Sequence, residues 1–249
     1  MWRGTGQKLL SLLNNLSMNI NLSPKTLPRN LGVLGMTLPF ILWIGSQNLA
    51  PSISHYYYTN FGIYFTGVLF AFGLFLYAYK GYDSDGKKMS DNWITNIAGL
   101  FAIITALIPT THIEGFDFIK FGGPNAHTNN VLGAIHLGAA ASFLFIMGYL
   151  SIFRFTLSGK TKSIYYARRY WLYKLCGIMV WLSIGFLAAE FALEIFFEIP
   201  PISKYSVFFA EVVALVFFGT AWLVKSQIRS LKFFGIVSEE ELAKGEQKK

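Results

Sequence analysis

Six long apolar runs, separated by short polar connections, constrain this chain more than any other feature of its sequence. A helix needs roughly 20 apolar residues to cross the hydrocarbon core of a bilayer. Backbone groups in lipid must be satisfied within their own segment, so each run is predicted to be helical. The runs are Leu31–Leu49, Phe61–Tyr79, Trp93–Pro109, Val131–Phe153, Leu175–Phe197 and Val207–Val224. Because only 14% of the residues are charged, against about 25% in soluble domains, we predict an all-α polytopic membrane protein, a bundle of six transmembrane helices.

The distribution of Lys and Arg predicts the direction of these spans. Of the 21 basic residues, 19 lie before the first span or after the second, fourth and sixth, and the alternate connections hold only Lys120 and Lys204. Cytoplasmic connections carry the excess of basic residues, so both termini are predicted to be cytoplasmic. Since the basic residues flank apolar runs instead of forming a soluble basic patch, nucleic acid is not an expected partner.

This topology divides the chain into three parts. Residues 1–30 form a cytoplasmic arm, in which leucines at helical spacing fit either an interfacial helix or a partly ordered tail. Residues 31–226 form the transmembrane domain, and residues 227–249 form a cytoplasmic tail. Three pairs of small residues four apart, a spacing that lets helices approach closely and that also arises by chance in apolar helices, support a compact bundle. The pairs are Gly67 with Ala71, Ala134 with Gly138, and Gly185 with Ala189.

Polar groups gather toward the outer ends of the predicted spans. The first outer connection is "PSISHYYYTN", residues 51–60, which contains no basic residue. His136 lies about 9 Å below the outer end of the fourth span, at a rise of about 1.5 Å per residue. Glu190 occupies the last turns of the fifth span, and Glu211 the first turns of the sixth. These three side chains are therefore predicted to lie at a similar depth.

Charged side chains cost about 2.5–3.5 kcal/mol at the centre of a membrane helix, so those retained usually face a bundle interior or a wet cavity. We therefore predict a polar pocket in the outer leaflet, under the first outer connection. Its candidate ligand-binding residues are Ser54, His55, Tyr57, His127, His136, Glu190, Glu194 and Glu211. The competing interpretation is structural, with glutamates reaching to the interface, an aromatic belt at Tyr56–Tyr58 and a hydrogen-bonded histidine.

Three functions fit such a pocket. The favoured one is binding or processing of a lipid or another amphiphile, with membrane lipids as partners. A second is metal-dependent hydrolysis at a zinc-like ion, although no HxxxH or HExxH spacing supports it. The candidate metal ligands are His55, His127, His136, Glu190 and Glu211. A third is a non-enzymatic structural or sensing role, and a homo-oligomer is left open.

Four stretches of the chain also resemble a known family. They are "PSISHYYYT", "FTGVLFAFGLFLYAYKGYDSD", "NIAGLFAIITALIPTT" and "NNVLGAIHLGAAASF", which together cover most of residues 30–155. They resemble the DUF998 family of bacterial six-span membrane proteins of unknown function. They are also distantly similar to the eukaryotic group that includes the damage-regulated autophagy modulators and a fibroblast-growth-factor-receptor-activating protein. The resemblance implies a bacterial cytoplasmic membrane and a lipid-related role, and it implies no catalytic residues.

Overall fold

The structure is a computed structural model that describes residues 25–79, 81, 91–111, 130–157 and 164–226. All regular structure within these ranges is helical, which confirms the predicted all-α class. The α-helices are α1 (Thr26–Ser46), α2 (Gly62–Ala78), α3 (Asp91–Leu107), α4 (Asn130–Tyr149), α5 (Ile164–Phe197) and α6 (Ser206–Lys225). A 3₁₀ segment, Ile53–Tyr58, follows α1, and a π-helical turn, Leu150–Arg154, continues α4 into a short 3₁₀ turn, Phe155–Leu157.

Four of these helical stretches are long and apolar enough to cross a membrane. They are Thr26–Ser46, Val131–Leu157, Arg168–Phe197 and Ser206–Lys225. Helices α2 and α3 are apolar but have only 17 residues each, which is about 25 Å at 1.5 Å per residue. In the described ranges, length and composition therefore indicate four spanning helices.

Three helix boundaries differ from the predicted spans. Helix α1 starts at Thr26, inside the predicted arm, and ends at Ser46 because Gln47 adopts a left-handed conformation with φ of 55°. Helix α5 starts at Ile164, well before the predicted Leu175, since the intervening residues include no proline or glycine to interrupt it. It ends where Glu198, with φ of 54°, lets Ile199 N–H donate to Leu193 O.

Close helix contacts occur at three pairs of facing glycines. The pairs are Gly32 with Gly219 (α1 and α6), Gly73 with Gly99 (α2 and α3), and Gly148 with Gly177 (α4 and α5). A β-carbon at position 219, for example, would lie 2.6 Å from the Gly32 carbonyl oxygen. Glycine at these crossings allows the backbones to approach closely.

The small-residue pairs predicted from the sequence do not make such contacts. A β-carbon at Gly67, Gly138 or Gly185 would meet no described atom within 4 Å, and all three glycines are exposed. These pairs do not identify helix contacts, because spacing alone does not show which face of an all-apolar helix meets a neighbour.

The helices surround an aromatic core. Phe72 stacks on Phe143 with ring centroids 6.0 Å apart, and Phe218 meets both rings edge-on at 5.4 and 5.8 Å. At one end of the bundle, which we call the ion-pair end, Asp91 at the start of α3 forms a buried ion pair with Arg154 of the π-helical turn. At the opposite end of the bundle, which we call the pocket end, α4 begins beside the end of α3.

Candidate functional site

A cavity of about 580 Å³ lies at the pocket end, between α4, α5, α6 and the 3₁₀ segment. We call it the polar cavity. Six of the eight predicted ligand-binding residues line it, namely Ser54, His55, His136, Glu190, Glu194 and Glu211. A smaller cavity of about 50 Å³ shares Ser54 and Glu211 with it and extends among apolar core residues.

The 3₁₀ segment that forms one wall of the polar cavity is fixed at its start by side chains. The Ser52 hydroxyl accepts from His55 N–H at 3.3 Å and lies 2.6 Å from His55 Nδ1. Glu211 Oε2, from α6, accepts from Ile53 N–H at 2.5 Å. Because the first N–H groups of a helix have no partner within it, these contacts determine where Ser54 and His55 lie.

Two of the three consecutive tyrosines anchor the same segment. Tyr56 is fully buried, and its hydroxyl donates to Asn48 O at 2.7 Å and accepts from Ala50 N–H at 3.2 Å. Tyr58 donates to Thr110 O at 2.5 Å. Burial raises the pKa of Tyr56 above its ordinary value, so this hydroxyl keeps its proton at neutral pH.

Tyr57 does not line the polar cavity, in contrast to its predicted role in binding. It is half-buried and packs edge-on against the Tyr58 ring, with centroids 5.3 Å apart. Burial raises the pKa of Tyr57 as well. Within residues 51–60, the serines and His55 therefore form a wall of the cavity, while Tyr56 and Tyr58 hold the segment in place.

Glu190 is the most deeply enclosed acid of the polar cavity, with 7% of its surface exposed. Its Oε1 accepts from Ile202 N–H at 3.1 Å, which ties the connection after α5 back to that helix. Its Oε2 is buried and has no hydrogen-bond partner among the described residues. Glu194, one turn further along α5, is exposed at the cavity wall.

His136 is held at both ring nitrogens. Nδ1 lies 2.6 Å from the carbonyl oxygen of Ile108, just past the end of α3, and Nε2 lies 2.9 Å from Ser54 Oγ. Only 2% of its surface is exposed. His136 therefore joins α3, α4 and the 3₁₀ segment.

The polar cavity is not sealed between α4 and α5 in the described part of the chain. Ala134 and Leu137 on α4, and Glu194 on α5, line the cavity and are also exposed. The two helices touch at Gly148 and Gly177, nearer the ion-pair end. They therefore separate toward the pocket end, and the cavity occupies the space between them.

The predicted metal ligands do not form a metal site in the described ranges. There, no three His, Cys, Asp or Glu side chains are placed to hold an ion together. His136 and Glu211 direct atoms to protein hydrogen-bond partners instead. His127, predicted both as a metal ligand and as a ligand-binding residue, lies outside the described residues.

The cavity also has polar lining residues that the sequence did not single out. Thr110 follows α3, while Ser203 and Lys204 lie in the connection before α6. Because they lie in predicted outer connections, their position in the sequence was the signal that could have identified them.

A comparison with known proteins gives no matching family model, no matching curated protein and no matching solved structure.

Proposed function

We propose that this chain is a six-span membrane protein with cytoplasmic termini that binds an amphiphile with a cationic headgroup in the polar cavity. The charge distribution along the sequence supports the direction of the spans. Helices α2 and α3, at 17 residues each, reach the lower limit of about 17 residues for a membrane-spanning helix. With these assignments the pocket end lies in the outer leaflet.

The observation that carries the proposal is the buried carboxylate of Glu190, which lines a cavity large enough for a ligand. An ionised carboxylate in a low-dielectric site requires a positive partner or several hydrogen-bond donors. The described residues give Glu190 one backbone donor, and leave Oε2 without a partner. A ligand ammonium group would supply that missing partner.

The net charge of the cavity wall favours the same headgroup. Glu190 and Glu194 line the cavity against one lysine, Lys204, while Glu211 Oε2 accepts from Ile53 N–H. The Lys204 ammonium also lies over the ring of Tyr205, 4.7 Å from its centroid. Carboxylates in excess attract a cation and disfavour an anionic phosphate or carboxylate ligand.

The opening between α4 and α5 suits the apolar part of an amphiphile. The α4 side chains at this opening are small or aliphatic, as at Ala134, Leu137 and Ala140. An acyl or alkyl chain can leave the cavity there and lie against the bundle surface while the headgroup stays beside Glu190. The lipid-related role implied by the distant similarity to the eukaryotic group that includes the damage-regulated autophagy modulators agrees with this class of ligand.

The test is a binding measurement on the purified full-length protein in lipid nanodiscs. Hexadecylamine and hexadecanol share a chain and differ in headgroup charge at neutral pH. We expect the amine to bind and the alcohol to bind much more weakly. Glu190→Gln should weaken amine binding at least about thirtyfold, since leaving a buried charge without its partner costs about 2 kcal/mol or more.

The matched control is Glu198→Gln, which neutralises a glutamate that lies past the end of α5 and does not line the cavity. This variant should bind the amine as the unmodified protein does. Equal affinity for the amine and the alcohol, or equal losses in the two variants, would refute the assignment of a cationic headgroup to Glu190.

A further inference from the structure

The hydrogen bonds around His136 define the position of its proton. A backbone carbonyl oxygen can only accept, so the 2.6 Å contact with Ile108 O requires a proton on Nδ1. In a neutral imidazole the other nitrogen then carries the lone pair. Nε2 therefore accepts the hydrogen bond from Ser54 Oγ–H at 2.9 Å.

This arrangement contains two of the elements of nucleophilic acyl transfer. A serine hydroxyl is hydrogen-bonded to an imidazole base, and a third group, here a carbonyl at the end of α3, holds the base in the required tautomer. Ser54 and His136 are 82 positions apart in sequence, so the contact is created by the fold. Both side chains line the polar cavity.

We propose that Ser54 and His136 form a nucleophile–base pair that cleaves a carboxylic ester of an amphiphile bound in the polar cavity. The class of substrate rests on the proposed function, while the reactivity of Ser54 does not. The ester carbonyl would approach Ser54 from the cavity, with its acyl chain toward the opening between α4 and α5.

The chemical steps balance with water as the only co-reactant. Ser54 Oγ bonds to the carbonyl carbon while its proton passes to His136 Nε2. As the tetrahedral intermediate collapses, the C–O bond to the alcohol breaks and Nε2–H protonates the leaving alkoxide. Water then attacks the acyl-serine, Nε2 takes its proton and returns it to Ser54 Oγ, and a carboxylic acid leaves.

The neighbouring Ser52–His55 pair is a different arrangement. The Ser52 hydroxyl caps the 3₁₀ segment by accepting from the His55 backbone N–H. Its contact with His55 Nδ1 joins residues three apart in the same short segment. Ser54 has no such capping role, so its hydroxyl is the one that the geometry assigns to chemistry.

A long-chain alkyl fluorophosphonate, which phosphonylates activated serines with loss of fluoride, tests the assignment. The full-length protein in nanodiscs is incubated with this probe and its intact mass is measured. We expect a single adduct, mapped to Ser54 by peptide sequencing. Replacing His136 by Asn should slow labelling by about a hundredfold, the usual contribution of a general base.

The control variant is Ser183→Ala. Ser183 is a buried serine of α5 whose hydroxyl donates to Met179 O in its own helix and which does not line the polar cavity. This variant should be labelled as fast as the unmodified protein. An adduct on Ser52 or another serine, or no adduct on the folded unmodified protein, overturns the proposal even if the His136 variant does not fold.

The same probe separates this proposal from the previous one. The fluorophosphonate carries no positive charge, so labelling does not depend on Glu190. If Ser54 is labelled but hexadecylamine does not bind, the assignment of Ser54 as a nucleophile stands and the proposal of a cationic headgroup is refuted. If hexadecylamine binds but Ser54 is not labelled, the proposal of a cationic headgroup stands and the assignment of Ser54 as a nucleophile is refuted. In that case the Ser54–His136 hydrogen bond only joins structural elements and leaves Ser54 unreactive.

Discussion

The two ends of the bundle differ in how buried charge is compensated. At the ion-pair end, Asp91 and Arg154 neutralise each other with almost no exposure. At the pocket end, three glutamates meet a single lysine around a cavity of about 580 Å³. Helices α4 and α5 show the same contrast, since they touch at Gly148 and Gly177 and separate beside Glu190.

The difference indicates where the bundle obtains its stability and where, under the proposed function, it accepts a ligand. A buried ion pair loses much stability when one partner is removed, because the other charge stays behind. In the described part of the chain, the Glu190 carboxylate at the cavity is only partly compensated, and the proposed ligand would complete that compensation. Each of the following variants tests one part of this contrast.

The largest effect should come from breaking the ion pair. Asp91→Ala should lower the free energy of unfolding by about 3–5 kcal/mol, since Arg154 would stay buried without its carboxylate. Thermal unfolding in detergent measures this loss. Glu194→Ala, which removes an exposed acid at the pocket end, is the control and should change stability by less than about 0.5 kcal/mol. Similar losses in both variants would contradict the contrast between the ends.

The second effect concerns the contact between α4 and α5. Gly177→Ala should destabilise the protein by about 1–3 kcal/mol, because the new β-carbon would lie 2.7 Å from Gly148 O. Gly138→Ala, at an exposed position of α4, would place a β-carbon that meets no described atom within 4 Å. It should leave stability unchanged or raise it by up to about 1 kcal/mol. If the two alanines had equal effects, the helices would not separate as described.

The third effect tests the anchored part of the pocket end. Tyr56→Phe removes the hydroxyl bonded to Asn48 O and Ala50 N–H and should cost about 1–2 kcal/mol. Tyr57→Phe should cost less, since Tyr57 is half-buried. Circular dichroism melts of the two variants give the comparison. A larger loss for Tyr57 would show that the wrong tyrosine has been identified as the anchor.

The smallest expected effect is a gain in the stability of the protein. Glu198 is exposed and holds the left-handed conformation that ends α5, and glycine adopts this conformation without steric cost. Glu198→Gly should therefore raise stability by up to about 1 kcal/mol. Unfolding by heat would reveal a shift to higher temperature, and a shift to lower temperature would contradict this account of the helix end.

The helical class and the grouping of polar residues could be predicted from the sequence for simple physical reasons. Apolar length predicts helices, and a constant rise per residue places His136, Glu190 and Glu211 at one depth. The structure puts these three residues on one cavity, while ligand binding by them stays a prediction.

Other features depend on tertiary contacts that no sequence pattern shows. Asp91 and Arg154 lie 63 positions apart and looked like separate charges beside apolar runs. The glycines that carry helix contacts could not be distinguished from those that do not, because every face of these helices is apolar. The partners of Glu190 and Glu211 are backbone N–H groups, which every residue except proline offers equally.

The π-helical turn at Leu150–Arg154 absorbs one extra residue without changing the direction in which Arg154 faces. A π turn holds about one residue more than an α turn, and one residue corresponds to about 100° of rotation around the axis. Deleting a residue within the turn would restore regular winding and leave the Arg154 guanidinium facing Asp91, whereas a deletion earlier in α4 would rotate it by about a quarter of the circumference. The turn thus accommodates the extra residue without a change of angular phase, so one long helical stretch lines the polar cavity at its start and neutralises buried charge at its finish.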